Sequence, residues 1–362
     1  MNRRGVCYDV GRVMMGQNWR PEFDLREVHR ELEIIRDDLH CNAVRICGQE
    51  IDRLVSAGQD ALDQGLEVWL SPELWDRSPE VTLDYLVQAA ERAEALRQGH
   101  PDKVVFSVGS ELTLFMRGIL DGDTFLERLH HPAFGERIRS GAHKAPLDAF
   151  LTRANDAVRG VFKGSVTYAS VPLETVDWSR FDFVAVDLYR DARIRDRFTD
   201  LLRSFFGHGR PVVITEFGCC TYRGAADAGG MGWAIIDFDI AEYGRRLPEL
   251  NGEYVRDEAE QARELTELLT MFEDGGVDGT FVFTFLAPTS PTSDDPRYDL
   301  DMAGYSLVKS YGNRLGDLGT AFPNVPWDTT RRGTTYPDLP WEPKRSFRAV
   351  ADFYAGAALL TT

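Results

Sequence analysis

Long apolar runs are missing from this sequence. Nowhere do about 18 apolar residues follow one another, so no membrane span is read from it. The basic start, Met1-Asn2-Arg3-Arg4-Gly5, leads only into Val6-Cys7-Tyr8 before Asp9 interrupts it. Neither a signal peptide nor an anchor helix is expected, and the cytoplasm is the expected location. Basic residues are too few to balance acidic ones, 41 against 58, for a net charge of −17. So acidic a surface repels phosphate backbones and anionic lipid, which argues against nucleic acid or a membrane as partner. Cysteine is sparse and odd in number, five in all, which fits a reducing compartment. The neighbours Cys219-Cys220 are read as buried thiols. His130-His131 and His143 have no zinc-type partners at workable spacing, so no metal is assigned. Gly11-Arg12-Val13 and Gly16 do not make a dinucleotide-binding turn. The glycines between Gly224 and Gly232 come without a P-loop lysine and read as a mobile lid. Gly109-Ser110-Glu111 lacks the glycine pattern of a serine nucleophile elbow. No cofactor is expected.

What is present is alternation. Eight short apolar runs, separated by helical stretches, begin near Val6, Ala43, Glu67, Val104, Ser165, Phe183, Pro211 and Gly279. Asp24-Leu25-Arg26-Glu27 reads as a helix start, and Leu25, Val28, Leu32, Ile35 and Leu39 follow at helical spacing. A long helix is expected from about Val81 to Arg97, and a last one around Phe347, Val350 and Tyr354. The link between the fifth and sixth runs is short and carries Pro172, so no full helix is expected there. Pro211-Val212-Val213-Ile214-Thr215 is almost purely β-branched, as a strand buried on both faces should be. Eight strands in series with helical crossovers predict an α/β fold, a single (β/α)8 TIM barrel over residues 1–362. Three connections are far longer than a barrel needs, at about 112–146, 217–255 and 284–344. All three leave carboxyl ends of strands, where barrel enzymes build their sites. The last holds Tyr298, Tyr305, Phe322, Trp327 and Trp341, and reads as ordered.

Two of these strands run into glutamate, Gly109-Ser110-Glu111 after the fourth and Thr215-Glu216-Phe217-Gly218 after the seventh. A carboxylate ending an apolar strand faces either the barrel mouth or an apolar interior, and the interior is costly unless the charge is paired. Two carboxylates converging on one mouth are the minimal equipment for glycosyl transfer. One donates a proton to the leaving oxygen, while the other attacks the anomeric carbon or activates water. The competing reading is a salt bridge to a barrel arginine, with Arg45 at hand.

The pattern resembles the clan-A, or 4/7, superfamily of retaining glycoside hydrolases. Ile214-Thr215-Glu216-Phe217-Gly218 resembles their nucleophile segment, and Val44-Arg45-Ile46 their strand-two arginine motif. Asp187-Leu188-Tyr189 resembles their strand-six tyrosine, and Pro343-Lys344-Arg345-Ser346-Phe347 the start of their closing helix. The resemblance implies Glu216 as nucleophile and Glu111 as acid/base, with Arg45 and Tyr189 orienting the nucleophile. Two features depart from it. Ser110 stands where the superfamily has an asparagine for the sugar 2-hydroxyl. The strand-eight tryptophan is missing from Gly279-Thr280-Phe281-Val282-Phe283-Thr284-Phe285.

Trp75 is expected to stack on a sugar face, with Trp19, Trp233 and Tyr222 on the same side. Asp294, Asp295, Asp299 and Asp301 read chiefly as a solvated acidic turn, with Asp299 or Asp301 as possible substrate contacts. The expected substrate-binding set is therefore Arg45, Trp75, Ser110, Tyr189, Trp233 and Asp301. The expected activity is a retaining glycosidase or transglycosylase acting on a small glycoside or oligosaccharide. The alternatives are an idle glycan- or small-molecule-binding barrel, or a non-glycan hydrolase or tailoring enzyme reusing the same carboxylates.

Overall fold

In the computed structural model, residues 1–237, 246–312 and 326–359 are described, with side chains to residue 356. Eight parallel strands close into a barrel in sequential order. They are β1 (Arg3–Asp9), β2 (Ala43–Gly48), β3 (Glu67–Pro72), β4 (Val104–Ser110), β5 (Ser165–Ser170), β6 (Val184–Asp187), β7 (Val212–Phe217) and β8 (Gly279–Val282). Seven helices carry the crossovers and close the ring: α1 (Leu25–Asp37), α2 (Ile51–Asp63), α3 (Pro79–Gly99), α4 (Lys144–Val161), α5 (Phe198–Ser204), α6 (Glu258–Asp274) and α7 (Arg345–Leu359). Between β5 and β6 there is only a 3₁₀ turn at Trp178–Arg180, as the short Pro172 link requires. No helix among the described residues is long and apolar enough to cross a membrane.

Local chemistry explains the boundaries. The Asp24 side chain caps α1 by accepting from the Arg26 N–H. Val28, Leu32 and Ile35 are buried on the inner face of that helix, whereas Leu25, in its first turn, stays half exposed. Helix α6 stops at Asp274, and Gly276 takes a positive φ just beyond it. All five cysteines are buried and unpaired.

The core has three parts. The largest lies between strands and helices. A second fills the barrel interior, where Trp69 packs against Phe183 and Phe281 with ring centroids 4.9 and 5.1 Å apart. Gly5 makes room for Phe281, since a Cβ there would meet the ring at 2.4 Å. The third ties together the connections after β7 and β8 through Cys220, Tyr222, Leu300, Tyr305 and Trp327. Within it the Tyr305 hydroxyl accepts from the Gly232 N–H and donates to the Gly229 carbonyl. The glycine-rich segment expected to be a mobile lid is thus pinned as a wall. Trp341 is fully buried and donates to Glu31, while Phe322 lies outside the described residues.

Asp301, expected among the substrate contacts, is placed in an internal ion-pair cluster and does not line the cavity at the barrel mouth. It is fully buried, with both carboxylate oxygens 3.0 Å from Lys344 Nζ and one 2.9 Å from Arg256. Asp299 also pairs with Arg256. A buried carboxylate pulls in whatever cations the fold can supply, because leaving it alone is costly. Lys344 opens α7, so this cluster fastens the last helix to the connection after β8. Lys344→Met is expected to lower unfolding stability by about 3 kcal/mol, the size usual for breaking a buried pair. Urea denaturation checks this, and a loss under about 1 kcal/mol would place the pair among weak surface bridges.

Candidate active site

The barrel's register breaks where the site begins. Along β7, Ile214 pairs with Val186 of β6, but Glu216 pairs with Asp187, leaving Thr215 as an extra residue. The pairing of β7 with β8 and that of β4 with β5 shift in the same way. Such bulges break the two-residue alternation and re-aim side chains. Here Thr215 Oγ1 donates to Asp187 Oδ1 at 2.7 Å, and Glu216 still faces the mouth. At the end of β4, Glu111 adopts a left-handed backbone with φ 48°. For a residue other than glycine that costs on the order of 1 kcal/mol, and such strain gathers at functional sites. Glu111 opens a short helix, Leu112–Phe115, without capping it, and its side chain lines the cavity instead.

One carboxylate oxygen from each of Glu111, Asp187 and Glu216 lies within 4.8 Å of the others. The ion pair weighed as the competing reading is present. Arg45 Nη1 donates to Glu216 Oε1 at 2.7 Å, and Arg12 Nη2 donates to the same oxygen at 3.1 Å. The second oxygen, Oε2, is met by the Tyr189 hydroxyl at 3.3 Å. Arg12 also grips Glu73 with two hydrogen bonds and lies 3.6 Å from Asp9. Asp187 accepts from Ser110 Oγ at 3.1 Å as well as from Thr215. It therefore joins the residue preceding each glutamate.

Burial and crowding of like charge set the protonation. Burial pushes Glu111 well above the ordinary carboxylate range, and the charges of Asp187 and Glu216 push it the same way. Asp187 is raised to about 7, first by burial and then by Glu216, with Arg45 opposing. Burial would raise Glu73 too, but Arg12 outweighs it and carries that carboxyl below its ordinary value. Three clustered carboxylates have the reach to hold a cation. The guanidinium of Arg45 lies against two of them, 2.7 Å from Glu216 and 3.8 Å from Asp187.

The cavity above these groups measures about 460 Å³. Glu111, Glu216, Ser110, Tyr189, Trp75 and Trp233 all line it. Arg45 does not, lying 1% exposed beneath Glu216. Tyr222 packs on Tyr254, away from the cavity. Arg12, Asp9, Glu73 and Asp187 belong to the same network but were not singled out from sequence. Asp9 and Asp187 end apolar strands and Glu73 follows one directly, the same signal that picks out Glu111 and Glu216. Arg12, in the connection after β1, carries no such signal.

No family model matches this chain, and no curated protein sequence matches it. In solved structures the architecture recurs. A GH113 beta-1,4-mannanase superposes with a TM-score of 0.58 at 13% identity, covering 98% of each chain. A GH113 beta-mannanase from Alicyclobacillus acidocaldarius gives 0.57 at 14% identity, over 98% of this chain and 97% of that one. The beta-glucuronidase 2 of Bacteroides uniformis gives 0.51 at 13%, over 87% of this chain and 34% of its own. The chain therefore shares the (β/α)8 barrel fold of these solved structures.

Proposed function

We propose that the chain is a retaining glycosidase working through Glu216 and Glu111. The observation that carries this reading is that a carboxylate oxygen of Glu111 comes within 4.8 Å of one of Glu216, with both groups at the cavity. Retaining enzymes hold the pair about 5–5.5 Å apart, whereas inverting ones leave about 6.5–9.5 Å for a water. Arginine pairing occupies Oε1 of Glu216 and leaves Oε2 at the cavity with Tyr189, so the ion pair orients the carboxylate rather than locking it away. In the first step Oε2 attacks the anomeric carbon and the glycosidic C–O bond breaks. Glu111, kept protonated by its surroundings, gives its proton to the departing oxygen. Water then attacks the glycosyl-Glu216 ester, Glu111 takes its proton, and the Glu216 carboxylate departs. The glycosidase names of the structural neighbours support the same chemistry. The test is a panel of 4-methylumbelliferyl glycosides, with the first-formed sugar anomer followed by proton NMR. Retention is expected. Inversion, or no cleavage across both anomeric series, sinks the proposal.

In this reading Asp187 tunes Glu111. Asp187→Asn removes a neighbouring charge, so Glu111 loses its proton at lower pH. The alkaline limb of the kcat/KM profile is expected to move downward by about 1 pH unit. A carboxyl raised to about 7 from an ordinary 3.8 costs stability as pH rises through that interval. The same variant should therefore unfold later than the parent at pH 8, by on the order of 2 kcal/mol, with the gain vanishing near pH 4. An unmoved alkaline limb would show that Asp187 does not set the acid.

A further inference from the structure

The cavity has two unlike sides. Its floor is charged, but its groups already have partners: Arg12 pairs with Glu73 and Glu216, and Asp187 accepts from the Ser110 and Thr215 hydroxyls. Above the floor, one side is aromatic. Trp19 meets Trp75 edge-on at 5.5 Å, and Trp75 stacks on Phe115 at 4.0 Å with planes 10° apart. Phe115 packs on Phe125 at 4.8 Å, and Phe125 reaches Trp233 at 6.1 Å. Five rings thus run without a break from the connection after β1, past β3 and β4, to that after β7. Met231, 41% exposed, continues the apolar surface at the rim.

A sugar ring held against such a wall needs an open aromatic face for its C–H surface and polar partners for its hydroxyls. Trp75, the platform expected from sequence, has one face covered by Phe115 and is only 8% exposed. The five rings bring no acceptor and no donor beyond their indole N–H groups. Apart from the Trp75 indole N–H, which is buried without a partner among the described residues, a flat apolar group meets nothing polar on this wall and gains by leaving water. The volume points the same way. About 460 Å³ suits one compact ligand of the size most small-molecule pockets enclose, rather than a run of sugar units.

We propose that the substrates are glycosides of a flat apolar alcohol, aryl or polycyclic, with the sugar over Glu216 and the aglycone against Phe115, Phe125 and Trp233. This rests on the glycosidase reading above and adds the identity of the leaving group. Glu111 protonates the aglycone oxygen as its bond to the anomeric carbon breaks, and the aglycone leaves as the free alcohol.

Two measurements on the full chain separate the two claims. The first is binding of free 2-naphthol by calorimetry, to the parent and to Phe125→Ala, Phe125→Leu and Trp233→Ala. Saturable binding is expected, weakened about tenfold by either alanine and less by leucine, which keeps bulk at the wall. The leucine variant also guards against an alanine variant that fails to fold. The second compares kcat/KM for 2-naphthyl glycosides with that for β-1,4-linked disaccharides of the same sugar. Because 2-naphthol is a more acidic leaving group than a sugar hydroxyl, the comparison is repeated with 2-naphthylmethyl glycosides. Their alcohol is about as weakly acidic as a sugar's, and they are expected to win over the disaccharides by about tenfold. Absent 2-naphthol binding, binding indifferent to the wall variants, or disaccharides preferred would overturn the aglycone assignment while leaving any glycosidase activity standing. Wall-dependent naphthol binding without cleavage of any glycoside would instead overturn the glycosidase reading on which the proposal rests.

Discussion

Replacing Glu216 by alanine is expected to lower kcat/KM on every cleaved glycoside by about 10⁵-fold, the scale seen when a covalent nucleophile is removed. The fold should survive this change. Alanine leaves Arg45 and Arg12 without one partner, but both keep others: Arg45 still donates to the Thr215 carbonyl and Ser71, and Arg12 keeps Glu73. Circular dichroism should therefore be native-like while activity is gone. A small anion such as azide, admitted into the space vacated by the carboxylate, should restore turnover and give a glycosyl azide of inverted configuration. In the parent, a 2-deoxy-2-fluoro glycoside with a good leaving group, whose glycosyl ester hydrolyses slowly, should leave its sugar on the peptide containing Glu216, seen as a mass increment. Retention of more than a few per cent of parental activity in the alanine variant would remove Glu216 from the nucleophile's place.

The Glu111→Ala variant should behave differently, and the difference is diagnostic. General acid catalysis contributes about 10²–10⁴-fold, but only where the leaving oxygen needs a proton. Glycosides of acidic phenols, such as 2,4-dinitrophenol, should be cleaved with the first step nearly intact. Alkyl glycosides should slow by about 10³-fold or more. The alkaline limb seen in the parent should flatten, because the group whose deprotonation causes it is gone. That limb is expected above the usual carboxylate range, since burial and the charges of Asp187 and Glu216 all favour the protonated form of Glu111. A uniform loss across good and poor leaving groups would show that Glu111 acts on binding or positioning instead.

The architecture was readable because its causes are local. A short, β-branched apolar run bounded by turns fits a strand buried on two faces, and alternation of such runs with helical stretches points to a parallel sheet. All eight such runs became barrel strands. Glu111 and Glu216 were readable for a related reason, since a carboxylate cannot end a buried strand cheaply unless something is there to meet it. The same rule reaches Asp9, Glu73 and Asp187, and attention to every charged strand end would have found them. Asp301 misled because sequence nearness to other aspartates imitates a solvated turn. Its burial depends on Lys344 and Arg256, 43 and 45 residues away.

By itself, then, the sequence determined the class of fold, the order of the strands and the two glutamates that meet at the mouth. These follow from periodicity and from the cost of burying charge, which act within a few residues. Only the tertiary structure decided which side chains share that mouth. The extra residue in β7 sets the Thr215 hydroxyl on Asp187, and Arg12 arrives from a connection with no regular pattern. Five aromatic rings from four separated connections make one wall. Register shifts and loop packing are settled by competition among distant contacts, and no single stretch of chain carries that information.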